Sequence, residues 1–358
     1  MRILVTGGAG YIGSHAAKQL AHSEFEPIVL DNLSTGHCGS VKWGPLVEGN
    51  LGDATLIRDV VKTYKIQAVI HFAGSAYVGE SMKRPRQYFR NNVTYTLRLL
   101  DAMMDSGVKH IVFSSSCATY GIPAKAPISE DQTRNPVNPY GESKRMIEEI
   151  LKWYGEAYGL RWMALRYFNA AGADPDGELG ETHSPETHLI PLALQAASRK
   201  ISALEVYGTD YPTPDGTAIR DYIHVTDLAH AHVAALRYLL KSGESTCLNL
   251  GTGRGHSVRE IIVAVERVTG NHVPVLEGER RPGDPPRLLA DPAQAGRILH
   301  WQPKHSALDE IIATAWRWQL AQSRVLGFVQ SSRSGKEQVP VQFAAPIQPG
   351  QTRVGVSP

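Results

Sequence analysis

The chain opens MRILVTGGAGYIGSH, an apolar run that leads into Gly7, Gly10 and Gly13 at regular spacing. Few patterns constrain a fold so closely. Glycines between a strand and a helix make a tight turn, let the backbone approach an anion, and leave helix N–H groups aimed at it. The next apolar run ends in Asp31. A carboxylate there accepts from a ribose 2′-hydroxyl and repels a 2′-phosphate. The pattern therefore predicts a dinucleotide site at the head of a parallel sheet, and NAD rather than NADP.

The following residues repeat that alternation. Short apolar runs at 3–5, 27–30, 46–48, 68–72, 110–114 and 163–168 read as strands. Stretches such as 53–65, 85–106 and 140–158 carry helical periodicity between them. Runs with no polar face belong to strands covered on both sides, so the class is α/β, a Rossmann-like doubly wound parallel sheet. This NAD-binding domain is expected over residues 1–169. Beyond it lies a polar loop, DPDGELGETHSPETH, then helical stretches at 188–199, 226–241 and 257–269 and a strand and turn at 246–253. Residues 170–320 read as a smaller substrate domain, partly interleaved with the first. Residues 323–358 hold no sustained period and many Gly, Pro, Ser and Gln, and read as a mobile tail.

A second local pattern is chemical. In NPYGESK, Tyr140 and Lys144 are four apart and share one face of a helix. A free phenol has a pKa of about 10, so at pH 7 it is a base in roughly one molecule in a thousand. A neighbouring ammonium stabilises phenolate, and a cationic nicotinamide ring would do so further. A depressed Tyr140 is the expectation. Upstream, FSSSCATYG ends a strand with Ser116 at its carboxyl end, where ligands bind in such sheets. Its hydroxyl could relay a proton. Tyr140, Lys144 and Ser116 form the catalytic set.

The composition excludes several classes. A net charge of +2 implies no basic surface, so nucleic acid is not an expected partner. No apolar run approaches the roughly 20 residues that cross a bilayer, and the first is too short for a signal peptide. Cys38, Cys117 and Cys247 make neither a disulfide framework nor a zinc set. A cytoplasmic protein without membrane contact is expected. Cys117 reads as packing and His224 as structural. His183 and His188 are five apart in ETHSPETH; with no helical i,i+4 pair, they read as a loop lining a ligand pocket, and no metal is assigned.

Together these landmarks resemble the extended short-chain dehydrogenase/reductase superfamily, and within it the UDP-galactose 4-epimerase (UDP-glucose 4-epimerase) family. TGGAGYIGSH, LDNLSTG, VIHFAG, NNV, FSSS, NPYGESK, LRYFNAAGA, RDYIHVTDLA, NLGTG and RRPGD carry the likeness over roughly residues 1–320. The resemblance implies reversible C4 epimerisation of a UDP-sugar through a 4-keto intermediate with tightly bound NAD. It implies cofactor contacts from Gly7, Gly10, Tyr11, Ile12, Gly13, Asp31, Asn32, Asn50, Leu51, Phe72, Ala73, Gly74, Asn91, Ser114, Tyr140, Lys144 and Phe168. It implies substrate contacts from Ser116, Tyr140, Asn169, Leu189, Tyr207, Arg220, Tyr222, Arg281, Asp284 and Leu288. Arg220 and Arg281 suit a diphosphate, because guanidinium forks bind phosphate through charge-assisted bonds.

Two positions depart from the family. Asn50 replaces an adenine-contacting acid, and Ala76 replaces a lysine. Leu288 falls where the family limits N-acetylated sugars by residue size. Pentose or N-acetylhexosamine substrates therefore stay open, as does a non-catalytic NAD-sensing role, which would have no need of Tyr140 and Lys144. A 4,6-dehydratase would carry an acid pair after the strand-five hydroxyl, where this chain has Cys117, Ala118 and Thr119. Broad apolar faces on helices 85–106 and 140–158 point to a homodimer packed as a four-helix bundle.

Overall fold

The apolar runs of the N-terminal half assemble as one sheet in the computed structural model, which describes residues 1–281 and 283–334. Strands β1 (Arg2–Thr6), β2 (Glu26–Asp31), β3 (Leu46–Glu48), β4 (Ala68–His71), β5 (His110–Ser116) and β6 (Arg161–Tyr167) alternate with helices. Those helices are α1 (Tyr11–Ala21), α2 (Ala54–Thr63), α3 (Val78–Lys83), α4 (Pro85–Tyr88), α5 (Tyr95–Asp105) and α6 (Pro139–Tyr158). The second half adds β7 (Asn169–Ala171), α7 (Leu189–Ala197), β8 (Leu204–Tyr207), β9 (Ile219–His224), α8 (Val225–Leu240) and β10 (Thr246–Leu250). It closes with β11 (Gly255–Ser257), α9 (Val258–Thr269), β12 (Val275–Gly278), β13 (Arg287–Leu288), α10 (Ala293–Leu299) and α11 (Leu308–Ser334).

The main sheet has seven parallel strands in the order β10-β6-β5-β4-β1-β2-β3. Its order reverses between β1 and β4, so the turns after these two strands open a crevice where ligands bind in such sheets. One face is covered by α2, α5 and α6 through Ile57, Leu99 and Leu151. The other is covered by α1, α8 and α10 through Leu20, Leu236 and Leu299. β10 and α8 come from beyond residue 170, so the second half interleaves with the first. A third core joins α7, α9, β8 and Ile311 and Ile312 of α11. A four-stranded sheet, β7, β9, β11 and β13, and the β8–β12 pair belong to this half.

Two elements differ from the sequence reading. The helix expected at 85–106 forms over residues 85–105 but is not uniformly α: between α4 and α5 the backbone makes a π-helical passage over Phe89–Thr94. Such wide turns are rare and gather at functional sites. The mobile tail expected from residue 323 instead begins inside α11. Its remaining residues, 335–358, lie outside the described ones. The chain divides into two compact units, Met1–Gln319 and Leu320–Pro358. Every site residue lies in the first.

Candidate active site

The glycine turn is built as its spacing predicts. Gly7 has φ +72°, and a Cβ there would lie 2.6 Å from the Ala73 nitrogen. A Cβ on Gly13 would collide with the Gly7 carbonyl oxygen. β1, β4 and α1 can meet this closely only without those side chains. Gly10 caps α1 with no side-chain hydrogen bond, and no acid stands in the first turn, so the N–H groups at its start are left for an anion. The buried Asp31 carboxylate accepts from Ala9 N at 2.9 Å and Leu33 N at 2.8 Å. One lone pair on each oxygen still serves a diol.

Other expected cofactor residues ring this crevice. Tyr11 donates to the Gly172 carbonyl at 2.6 Å, and Ala73 N bonds Thr6 O. Asn32 and Asn50 fold back on their own turns, accepting from Ser34 N and Gly52 N. Leu51 and Ile12 pack into the cores, and the Phe72 ring turns toward His232 of α8, 4.6 Å away. Any contact from Phe72 to a ligand would therefore come from its backbone.

Helix α6 sets the reacting groups. Asn138 caps it by accepting from Gly141 N at 2.8 Å, and Pro139 takes the first turn, where a missing N–H costs nothing. Tyr140 and Lys144 then point at the ends of β5. Lys144 is buried and donates to the Ser114 carbonyl at 2.7 Å, its Nζ 5.8 Å from the Tyr140 ring centre. Burial lowers its pKa to about 8, against the pull of Glu148 one turn on. The Ser116 hydroxyl lies beside the Tyr140 phenol and accepts from Ala118 N at 3.1 Å. Ser114 shares a 2.5 Å hydrogen bond with the Tyr167 hydroxyl.

The expectation of a depressed Tyr140 is not met. Burial raises its pKa well above the ordinary phenol value, and the neighbouring Ser116 hydroxyl only partly opposes this. Lys144 gives its hydrogen bond to a backbone carbonyl rather than to the phenol. A base at this position needs a further positive charge beside it.

Sequence reasoning missed the scaffold behind this pair. Asn92, not Asn91, is the buried asparagine of the π-helical passage. It bonds Ser75 N and O at 2.8 and 3.0 Å and Ser143 Oγ at 2.9 Å, tying α6 to the turn after β4. Asn91 donates to Ser75 Oγ. The doubled asparagine of NNV was the visible signal, but the register of a wide turn is not legible locally. Glu148, also buried, holds Arg166 through bonds of 2.9 and 2.7 Å, Arg134 at 2.9 Å and Ser115 at 2.6 Å.

Across the crevice lie the expected substrate residues. Asn169 and Tyr222 are register partners on β7 and β9, and Asn169 donates to Asp221 O at 3.1 Å. Arg220 bonds Asp284 at 2.6 Å, and the Arg281 guanidinium stacks 4.0 Å above the Tyr207 ring. Tyr207 donates to Glu205, and Leu189 packs half-buried on the third core. Leu288 pairs with Arg220 across β13 and β9 and, like Cys117, packs against the small core of Tyr120, Ile128, Phe168 and Ala290. This brings the Arg220 strand up to the turn that follows Ser116. That turn, Cys117–Tyr120, carries no acid. Burial pushes the Cys117 thiol up to about 12, and His224, lowered to about 3 by burial, caps α8 by accepting from Thr226 N.

The ETHSPETH loop folds against the glycine turn. The His183 ring lies 6.4 Å from Tyr11 and 5.9 Å from Tyr77, centre to centre. His188 is held between Glu181 and Glu186. These bonds outweigh its burial and raise its pKa to about 10.

Three comparisons bear on this site. The NAD dependent epimerase/dehydratase family matches the chain over residues 3–251. A UDP-glucose 4-epimerase of Lactobacillus helveticus is 49% identical over 319 residues, covering 89% of this chain and 97% of its own. Among solved structures, the UDP-glucose 4-epimerase of Brucella ovis in complex with NAD has a TM-score of 0.86 at 56% identity, over 88% of this chain and 97% of that one. The Bifidobacterium longum enzyme in complex with NAD+ and UDP gives 0.85 at 37% identity, over 90% and 99%.

Proposed function

Because the chain belongs to the NAD dependent epimerase/dehydratase family, we propose that it interconverts UDP-glucose and UDP-galactose at C4, retaining NAD throughout. One observation carries this reading. Tyr140, Ser116 and Lys144 converge at the carboxyl end of β5, next to a glycine cradle that fits a dinucleotide and across from two arginines that suit a diphosphate. Gly7 and Gly13 let the turn close tightly at the head of α1, whose first N–H groups suit a pyrophosphate, and Asp31 has the lone pairs for a ribose diol. The domain boundary we place near residue 169 is thus functional: the NAD residues lie before it, and the nucleotide-sugar residues other than Ser116 and Tyr140 lie at or beyond it.

Bound NAD supplies the hydride acceptor, and later the donor, at C4. The protein's own groups move the proton. Tyr140 takes it from the 4-hydroxyl, with Ser116 holding the oxygen and passing the proton on. Lys144, mostly charged at pH 7 with a pKa of about 8, supplies the field that favours phenolate. The positive charge that the phenol lacks on its own comes with the oxidised ring. The 4-keto sugar turns in the pocket while Arg220, Arg281 and Asp284 keep hold of the nucleotide. Tyr140 then returns its proton to the other C4 epimer.

We also propose a homodimer formed through α5 and α6. Tyr154 of α6 donates to Asp101 of α5 at 2.7 Å, so the two helices present one surface, and α6 leaves Trp153 and Tyr158 exposed. Light scattering that showed a concentration-independent monomer would remove it. A cytoplasmic location fits three free cysteines and, among the described residues, the absence of a helix long and apolar enough to cross a membrane.

The direct test is UDP-galactose with the purified protein and no added cofactor, followed by proton NMR at C4. Conversion to UDP-glucose supports both the reaction and the retention of NAD. No conversion, even with NAD supplied, would overturn the hexose assignment and direct attention to pentose and N-acetylated sugars.

A further inference from the structure

We propose that Glu181, His183, Glu186 and His188 form a divalent-cation site of the zinc class beside the glycine turn. One donor atom from each residue lies within 4.8 Å of all the others. The closest approaches are His188 Nδ1 to Glu181 Oε1 at 2.7 Å, and His183 Nδ1 to the same oxygen at 2.9 Å. Glu186 Oε1 is 2.9 Å from His188 Nδ1. Zinc bonds of about 2.0–2.1 Å place tetrahedral donors about 3.3 Å apart. Small shifts of four side chains would reach that arrangement.

Charge argues the same way. Both carboxylate side chains are only 7% exposed. Two buried carboxylates are costly unless matched by positive charge. Without a metal, the hydrogen bonds from His183 and His188 are what these carboxylates have. A divalent cation between neutral imidazoles supplies that charge in one step, and two histidines with two carboxylates are ordinary zinc ligands. His188 is 48% exposed, which leaves an entry path. The backbone is already set: Glu186 Oε1 accepts from Thr187 N and His188 N at 2.7 and 2.9 Å, and Trp318 Nε1 holds the Glu181 carbonyl at 3.0 Å.

A nearby acidic group makes the contrast. Asp174, Asp176 and Glu178 also converge, but the Lys18 ammonium already occupies their centre at 2.8, 2.7 and 2.8 Å. No cation is needed there. A cation in the histidine cluster would fasten the loop to Tyr11 and Tyr77, whose rings His183 meets edge-on.

The test uses full-length, chelator-treated protein and the metal alone. Cobalt titration should saturate at one ion per chain with the strong visible absorption of a tetrahedral site, and zinc should bleach it. His183→Gln and His188→Gln should each weaken zinc binding by at least about 100-fold, since losing even a partner that only orients a ligand costs about 10- to 100-fold. Glu186→Gln, with folding checked by circular dichroism, gives the same result if a histidine variant fails to fold. Absence of a saturable cobalt band, or zinc binding unchanged in the variants, would overturn the site. None of these readouts depends on turnover, so a failed metal test and a failed epimerase test stay distinct.

Discussion

The two walls of the crevice are built on different terms. On the NAD wall, close packing decides. Gly7 and Gly13 admit no Cβ, Asp31 is fixed by two backbone N–H groups, and Lys144 is buried against a carbonyl. On the nucleotide-sugar wall, charged side chains hold one another. Arg220 rests on Asp284 and Arg281 on Tyr207, both partly open to solvent. A wall of the first kind cannot adjust without breaking. A wall of the second kind can exchange an internal partner for a ligand. The proposed reaction needs both, since the hydride carrier must stay put while one sugar face replaces the other. The comparison predicts that changes on the first wall strike kcat or cofactor retention, whereas changes on the second strike KM.

The largest effect belongs to Tyr140→Phe. It removes the proton acceptor and leaves the ring packing in place. Loss of a positioned acid–base group costs about 100- to 10,000-fold. We expect kcat to fall by at least the middle of that range, with KM little changed and NAD still bound after purification. A variant that kept parental kcat would break the division of labour between the walls.

Lys144→Met separates function from stability. The folded protein holds a buried ammonium whose pKa falls from 10.5 to about 8. Below pH 8 that charge costs on the order of 3 kcal/mol relative to the unfolded chain. Between pH 8 and 10.5 the unfolded chain binds the extra proton, so the cost fades as pH rises. The cofactor-free variant should therefore melt above the parent at pH 7 and lose that advantage by pH 10.5, less whatever the unpaired Ser114 carbonyl costs. Its kcat should fall about 100-fold. In the parent, kcat should decline as pH rises through the Lys144 titration.

These expectations rest on parts of the site that were unevenly legible. The glycine turn and the Tyr140–Lys144 pair lie within a few residues of themselves, and their spacing encodes their geometry. Asp31 was legible because a strand end is a fixed place in this fold. Asn92 was not, since a π-helical passage shifts which of two asparagines turns inward. Nor was Glu148, whose partners Arg134, Arg166 and Ser115 come from three separate segments. Local pattern also misjudged Tyr140, because spacing supplies a neighbouring charge but not the depth of burial that opposes it. Helix α11 was read partly as tail because its later residues lack a clear apolar stripe.

On the second wall, Arg220→Met should raise KM for the UDP-sugar. Charge-assisted hydrogen bonds are worth about 1.5–3 kcal/mol, so the rise should be about 10- to 100-fold. NAD retention should not change. A fall in kcat with KM unaltered would show that Arg220 acts on the chemistry, and the two walls would have to be redrawn.

The smallest effect sharpens the boundary between the walls at Cys117. This thiol packs against the small core of Tyr120, Ile128, Phe168 and Ala290, next to Ser116, and a reactive group there would blur the assignment of roles. Burial pushes both Cys117 and Cys247 up to about 12, so neither is a thiolate at ordinary pH. Cys38 is exposed. Iodoacetamide at pH 8 should therefore add one label per native chain, on Cys38, with activity retained, and three labels after denaturation. Rapid labelling of Cys117 in the native protein would mean that the two walls part more readily than their packing implies.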